Sequence, residues 1–139
     1  MIKLRIEGLD KLLQKFANMP KVLDQLTQKT MEASLQEFQQ NVPEYPPPPV
    51  NTKYKRTTIL GKSLGADGGK PTVYSITGSG VNKVGAFGTN LSYAKYVIDE
   101  KRQAYMHVGR WWTMKTIFDN TKEKIVNLWA LMIKKAIGD

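Results

Sequence analysis

Few side chains in this sequence could catalyse a reaction or bind a metal. The chain has one histidine, His107, and no cysteine, which excludes a His/Cys zinc site and a disulfide framework. Asp99 and Glu100, followed by Lys101, could be assigned to a metal-dependent nuclease. Adjacent carboxylates are far more often part of a solvated turn, and we interpret them so. The sequence therefore predicts no enzyme and no cofactor.

The segment from Gly85 to Trp112 concentrates the residue types that anchor protein interfaces. Its aromatic residues alternate with cations, and the set is Phe87, Tyr93, Tyr96, Tyr105, Trp111 and Trp112 with Lys95, Lys101, Arg102 and Arg110. Burial in a small core is the ordinary explanation for such aromatics. It suits the tandem tryptophans less well, because adjacent residues of regular structure cannot both face one core. We expect one of the two to contact a partner or a second layer.

Composition indicates one folded domain with a basic second half. With 139 residues, 41% apolar and 24% charged, the chain is long enough for one core. Residues 1–52 carry six Lys/Arg and six Asp/Glu, whereas residues 53–139 carry fifteen against six. A one-sided basic field favours polyanions, acidic protein surfaces or anionic membranes, although a merely solubilising surface is an equal alternative.

Neither a signal peptide nor a membrane span is expected. The first residues alternate charged and apolar side chains, which breaks the apolar stretch that a signal peptide needs. The longest apolar run, residues 128–133, is far shorter than the span of about 20 residues that a bilayer requires.

Apolar spacing predicts the elements of the first half. Ile2, Leu4 and Ile6 alternate with charges as in a half-buried strand, and residues 9–17 have helical spacing. A second helix is expected from Pro20 to about Asn41, with a stripe that packs on a sheet, namely Met31, Leu35, Phe38 and Val42.

Proline and glycine shape the middle of the chain. Four consecutive prolines, residues 46–49, fix an extended backbone, so residues 43–70 are expected to form a stiff loop or arm. Such a stretch is more commonly a rigid connector, and docking of Tyr45 to Pro49 into an aromatic groove is the alternative. Gly65, Gly69 and Lys70 have the wrong spacing for a phosphate-binding loop and are interpreted as a solvated turn.

The second half is predicted to hold a hairpin and a long helix. Residues 72–77 and 81–87 are rich in strand formers, with a Gly-Ser-Gly connection between them. A short helix should start at residues 91–94 and direct Tyr93, Tyr96 and Val97 towards the sheet. The last helix should begin between Thr113 and Asn120, capped by Asp119 or Asn120, and end near Gly138. One apolar stripe runs along this helix, formed by Ile117, Thr121, Ile125, Leu128, Met132 and Ala136. Phe118, Trp129 and Ile133 widen the stripe, and we assign this wide edge to subunit contact.

The fold class that follows is α+β. We expect a single domain over residues 1–139, with a small antiparallel sheet of three to four strands packed against two longer helices and a Pro-rich extended loop.

Three modules, in this order, resemble the neck and tail-completion (head-tail joining, minor tail) proteins of long-tailed bacteriophages. They are a strand followed by Gly8-Leu9-Asp10-Lys11-Leu12-Leu13, the Pro-rich stretch leading into residues 56–64, and Tyr93-Ala94-Lys95-Tyr96-Val97. Two departures are Thr58, where the family generally has glycine, and Ile98-Asp99-Glu100-Lys101, where it commonly has Glu-Phe-Gly-Thr. Residues 102–112 could therefore make a contact specific to this chain.

The resemblance implies a virion structural protein, made in the host cytoplasm, that joins tail to head as a homo-oligomeric ring. Six-fold symmetry is one option for the ring, and neighbouring connector and tail proteins are the implied partners, with no membrane. The expected subunit interface consists of Tyr45, Arg56, Leu60, Tyr93, Tyr96, Arg110, Trp111, Trp112 and Trp129. The expected DNA-facing residues, for non-specific contact, are Lys53, Lys55, Lys62, Lys101 and Arg102.

A regulatory or non-specific nucleic-acid-binding protein is the rival hypothesis, and a toxin or nuclease is a third. The basic residues are dispersed over several segments and do not cluster on a recognition helix, which counts against a regulator that reads DNA sequence.

Overall fold

The structure, a computed structural model, describes residues 1–5, 20–46 and 58–137. Its strands are β1 (Ile2–Arg5), β2 (Val73–Ser79) and β3 (Asn82–Gly88). The helices are α1 (Pro20–Gln40), α2 (Ile59–Lys62), α3 (Ala94–Ile98) and α4 (Met114–Ile137), and a 3-10 turn covers Tyr105–His107. The expected α+β class is confirmed, while the helix predicted over residues 9–17 and most of the Pro-rich stretch lie outside the described residues.

The three strands form one antiparallel sheet in the order β1-β3-β2. Helix α1 packs on one face of this sheet, and α4 packs against α1. The side chains of Met31, Leu35 and Phe38 are fully buried on α1, as the 4-3 spacing predicted. Gly85 lets the helix approach β3 closely, since a Cβ there would lie 2.6 Å from the Met31 sulfur. The core therefore sits between the sheet and the two long helices.

A polar clamp fixes the β2–β3 hairpin onto α1. The turn is Gly80-Val81, and Gly80 has the positive φ of 58° that type II′ turns require at their first position. Asp24 accepts hydrogen bonds from the Gly80 amide and from the buried Lys83 ammonium, both at 2.7 Å. Thr27 donates to the Gly80 carbonyl at 2.6 Å. The hydrogen bond from Lys83 is the largest cause that lowers the pKa of Asp24, and the bond from the Gly80 amide is the second.

Helix α4 begins where its first turn can be capped. Thr113 and Thr116 exchange hydrogen bonds between each backbone amide and the other hydroxyl, at 3.1 and 3.4 Å. This reciprocal arrangement resembles a capping box. The prediction that Asp119 or Asn120 caps the helix is wrong, because both lie inside it, where Asp119 pairs with Lys115 at 2.6 Å.

The prediction that Trp129 forms part of a subunit interface is also corrected. Its side chain is buried between the two long helices with 5% exposure, and its indole N–H donates to the Ser34 hydroxyl at 3.1 Å. Phe118, on the same helix, stacks on Phe38 at a centroid distance of 6.3 Å. Trp129 on the wide edge of the α4 stripe therefore packs within the chain, whereas Phe118 remains 38% exposed.

No helix among the described residues is long and apolar enough to cross a membrane.

Candidate assembly surface

The loop between α3 and α4 begins with a turn closed by Asp99. Its carboxylate accepts from the backbone amides of Lys101 and Arg102 at 2.9 and 3.2 Å and from the Arg102 guanidinium at 2.8 Å. The guanidinium bond is the largest cause that lowers the pKa of Asp99, and the same bond raises the pKa of Arg102. The solvated turn expected here is confirmed, and Lys101 and Arg102 are exposed.

Gln103 joins the two ends of this loop. Its side-chain amide donates to the Val97 carbonyl at 2.7 Å and to the Trp111 carbonyl at 3.2 Å. The amide of Ala104 donates to the Tyr96 carbonyl at 2.8 Å. These bonds connect residues that are distant along the loop and so constrain the backbone at its base.

Large apolar side chains project from the far end of the loop. Tyr105 is 87% exposed, Met106 is 59% exposed and Val108 is 64% exposed. We call these three residues the loop tip. Gly109, with a φ of 73°, turns the chain back behind them. Exposed apolar residues scattered singly are ordinary on proteins, so three at one tip make it a candidate contact surface.

An aromatic cluster that includes His107 adjoins the loop tip. Trp111 lies between His107 and Trp112, with ring centroids 6.3 and 5.8 Å away, and Tyr45 meets it edge-on at 5.8 Å. The Trp112 indole N–H donates to the Glu44 carbonyl at 3.1 Å. Both tryptophans are half-buried. Of the two expected contacts, a partner or a second layer, the second is observed: the tryptophans form a satellite cluster that packs against the core.

The surroundings of His107 favour its neutral form. Burial is the larger cause that lowers its pKa, and the Arg110 cation is the second. The His107 Nδ1 atom is buried and has no hydrogen-bond partner among the described residues. An uncharged ring against Trp111 tolerates that position better than an imidazolium would.

The Tyr45 hydroxyl fixes the start of the Pro-rich stretch. It donates to the Thr58 carbonyl and accepts from the Gly61 amide, both at 2.8 Å. A side chain at Gly61 would clash with this hydroxyl. We call these contacts the Tyr45 anchor. Tyr45 therefore packs on an aromatic cluster of the chain itself, as in the docking alternative to a rigid connector. Its hydrogen bond to the Thr58 carbonyl also brings residues 45 and 58 together.

Comparison with protein-family models, with curated proteins and with solved structures found no match.

The predicted interface residues lie in different environments. Tyr45, Trp111 and Trp112 meet in the aromatic cluster, with Arg110 half-buried beside it. Leu60 is buried within the chain, so its assignment to an interface is corrected as for Trp129.

Tyr93 and Tyr96 do not face the sheet as predicted, because they are 43% and 52% exposed. Ala94 and Ile98 fill the inner face of the short α3 instead. The ammonium of Lys95 lies 5.1 Å from the centroid of the Tyr96 ring. Exposed aromatic and basic side chains therefore occur together on α3.

The expected DNA-facing residues are only partly described. Lys62, Lys101 and Arg102 are exposed, whereas Lys53, Lys55 and the interface residue Arg56 lie outside the described residues.

Some surface residues were missed from the sequence. Nothing in the sequence beyond their apolar type indicated that Met106 and Val108 are exposed. The sequence also did not distinguish the exposed Tyr105 from the more buried aromatic residues near it. Val126 and Leu131 are also exposed, on the outer face of α4, at 66% and 59%. Their spacing does not follow the buried stripe, which is the one signal that could have identified them.

The sequence also contains Gly61-Lys62-Ser63-Leu64-Gly65, which has the Gly-x-Ser-x-Gly spacing of a nucleophile elbow. In the structure Ser63 is buried and follows helix α2, whereas a nucleophile elbow follows a strand. Its hydroxyl donates to the Leu60 carbonyl at 2.6 Å and shares a hydrogen bond of 2.7 Å with the Thr89 hydroxyl. These contacts give Ser63 a structural role at the end of α2.

Proposed function

We propose that this chain is a structural protein of the bacteriophage neck that joins tail to head as part of a homo-oligomeric ring. The order of its sequence modules supports the bacteriophage assignment. The observation that carries assembly is the loop tip, three large exposed apolar side chains on a loop fixed by hydrogen bonds at its base.

The order of the loop before binding affects how tightly the loop tip can bind a neighbouring copy. A loop that is already ordered loses little conformational entropy on binding, so more of the contact energy appears as affinity. Gln103 and the aromatic cluster provide that order here. A ring requires that each copy use one surface to contact a different surface on the next copy. The loop tip is our candidate for the first of these two surfaces.

The test is the mass of the free and of the virion-bound protein. We expect a ring by native mass spectrometry, and a Tyr105→Ser, Met106→Ser double variant that assembles at least about 30-fold less tightly, since truncating a hot spot costs about 2 kcal/mol or more. Val22→Ser, which removes an exposed apolar side chain from α1, is the matched control and should assemble normally. A monomer at high concentration that is also absent from purified virions would refute the proposal.

Nucleic-acid binding is the second candidate, favoured by one observation. The exposed cations Lys95, Lys101 and Arg102 lie on α3 and the following turn, beside the exposed rings of Tyr93 and Tyr96. Contact with passing DNA should be weak and independent of sequence, with a dissociation constant of about 10⁻⁴ to 10⁻⁶ M that rises steeply with salt.

A salt titration with two unrelated duplexes separates the two functions. A preference of about 10³-fold or more for one duplex would favour a regulator over a structural protein. Absence of binding to both would leave an acidic protein neighbour as the explanation for the basic second half.

A further inference from the structure

The two edges of the sheet differ in charge. Strand β1 forms one edge and carries the exposed cations Lys3 and Arg5. Strand β2 forms the other edge, and residues 71–82, which include it, have no charged side chain and no proline after Pro71. Natural proteins usually protect an edge strand with lysine, proline or a bulge, because its unpaired backbone groups attract another strand. Charge protects only the β1 edge.

Strand β2 is also accessible. Among the described strands only β3 pairs with it, and most of its residues are exposed, namely Tyr74, Ser75, Thr77, Gly78 and Ser79. Ser79 and Asn82 flank the two-residue turn and so form a hydrogen-bonded pair, and such pairs alternate along an antiparallel ladder. Ser75 therefore bonds to β3, while the backbone groups of Tyr74 and Ile76 face the open edge.

We propose that β2 pairs antiparallel with β2 of a second copy of this chain, so that two three-stranded sheets become one of six strands. If two copies associate, their charge favours contact through this edge. Each copy carries a net charge of +9, so two copies repel one another across most approaches. Contact through β2 places two uncharged strands side by side and leaves Lys3 and Arg5 at the far edges. A twofold axis is the commonest symmetry of homo-oligomers.

Side-chain pairing fixes the register. With the twofold axis at Ser75, Tyr74 lies opposite Ile76 of the partner subunit, and the backbone groups that face the edge meet each other. Tyr74 and Ile76 both lie on the α1 side of the sheet, in the rows of Phe87 and Gly85, and Tyr74 is 42% exposed. Aromatic and β-branched residues directly opposite each other stabilise antiparallel pairs. On the other face the two Ser75 hydroxyls come together.

A single cysteine tests this register. The chain has no cysteine, so Ser75→Cys can form a disulfide only between copies. Residues opposite each other in a non-hydrogen-bonded pair have Cα atoms about 4.5 Å apart, within the range for a disulfide. We expect a reducible dimer on a gel after mild oxidation at micromolar concentration. Lys3→Cys, exposed on the same face of β1, is the control and should remain monomeric.

A charge variant tests the energetics. Ser75→Lys places two like charges opposite each other, and we expect the dimer to dissociate at least about 10-fold more readily in sedimentation. Ser92→Lys makes the same charge change at an exposed residue before α3 and should dimerise normally. Absence of the Ser75→Cys dimer, or equal behaviour of the two lysine variants, would overturn the proposal.

The pairing is independent of the proposed ring. Dimers of free protein should persist in the Tyr105→Ser, Met106→Ser variant, whereas the ring should be lost. Failure of β2 pairing would therefore leave the proposed function untouched, and failure of the ring would leave β2 pairing in place.

Discussion

Tyr45→Phe removes one oxygen atom and keeps the aromatic side chain. It should therefore separate the contribution of the Tyr45 anchor to stability from that of the packing of the aromatic side chain. The hydroxyl makes two hydrogen bonds of 2.8 Å, and the substitution leaves the amide of the buried Gly61 without its partner. A hydrogen bond contributes about 1 kcal/mol net, and an unsatisfied buried donor costs at least as much. Because Tyr45 is only half-buried and water can reach part of the site, we expect a loss of about 2 kcal/mol.

This loss should be visible in thermal unfolding. A chain of 139 residues has an unfolding entropy of about 0.3 kcal/mol/K, so 2 kcal/mol corresponds to a Tm lower by about 7 °C. Tyr105→Phe is the matched control, because its ring is 87% exposed and its Tm should change little. If calorimetry gave both variants the same Tm, the hydroxyl would not anchor the Pro-rich stretch and the argument would fail.

Other predictions concern the core and pH. Asp24→Asn should lower the midpoint of urea unfolding, because the buried Lys83 ammonium loses its charged partner, whereas Asp119→Asn on the exposed face of α4 should not. Trp129→Phe should cost about 2 kcal/mol in guanidinium unfolding, through lost packing and a lost hydrogen bond. His107 has a lowered pKa, so the folded state binds fewer protons than the unfolded state, and Tm should fall as pH drops from 6.5 through the folded pKa. His107→Gln should remove that slope. A further loss below about pH 4 should remain, because the pKa of Asp24 is also lowered from 3.8.

Periodicity predicted the elements whose burial is one-sided. The stripe of Met31, Leu35 and Phe38 located α1 and the face that it packs on the sheet, because one helix side must be apolar wherever a helix covers a core. The hairpin could also be predicted from the sequence, because strand-forming residues flank a glycine turn. Local spacing carries this information, and no knowledge of distant contacts is required.

Residues whose environment depends on distant partners could not be assigned. Trp129 is in the core because Ser34, far away in the chain, offers a hydrogen bond at the right place between two helices. Tyr93 and Tyr96 are exposed because the inner face of α3 is occupied by Ala94 and Ile98, with Val97 half-buried beside them. Aromatic type alone gave the same interface assignment for Tyr93, Tyr96 and Trp129, and only tertiary packing distinguishes them.

The Pro-rich stretch and the loop tip are connected through the same rings. Tyr45 packs on Trp111, and Trp111 packs on His107, which lies next to Met106 in the loop tip. A partner that displaced Tyr45 would remove one wall of the cluster that supports the tip. Residues in direct contact influence each other's energetics, whereas distant ones act additively. We therefore expect the order of the loop tip to depend on the packing of Tyr45 against Trp111.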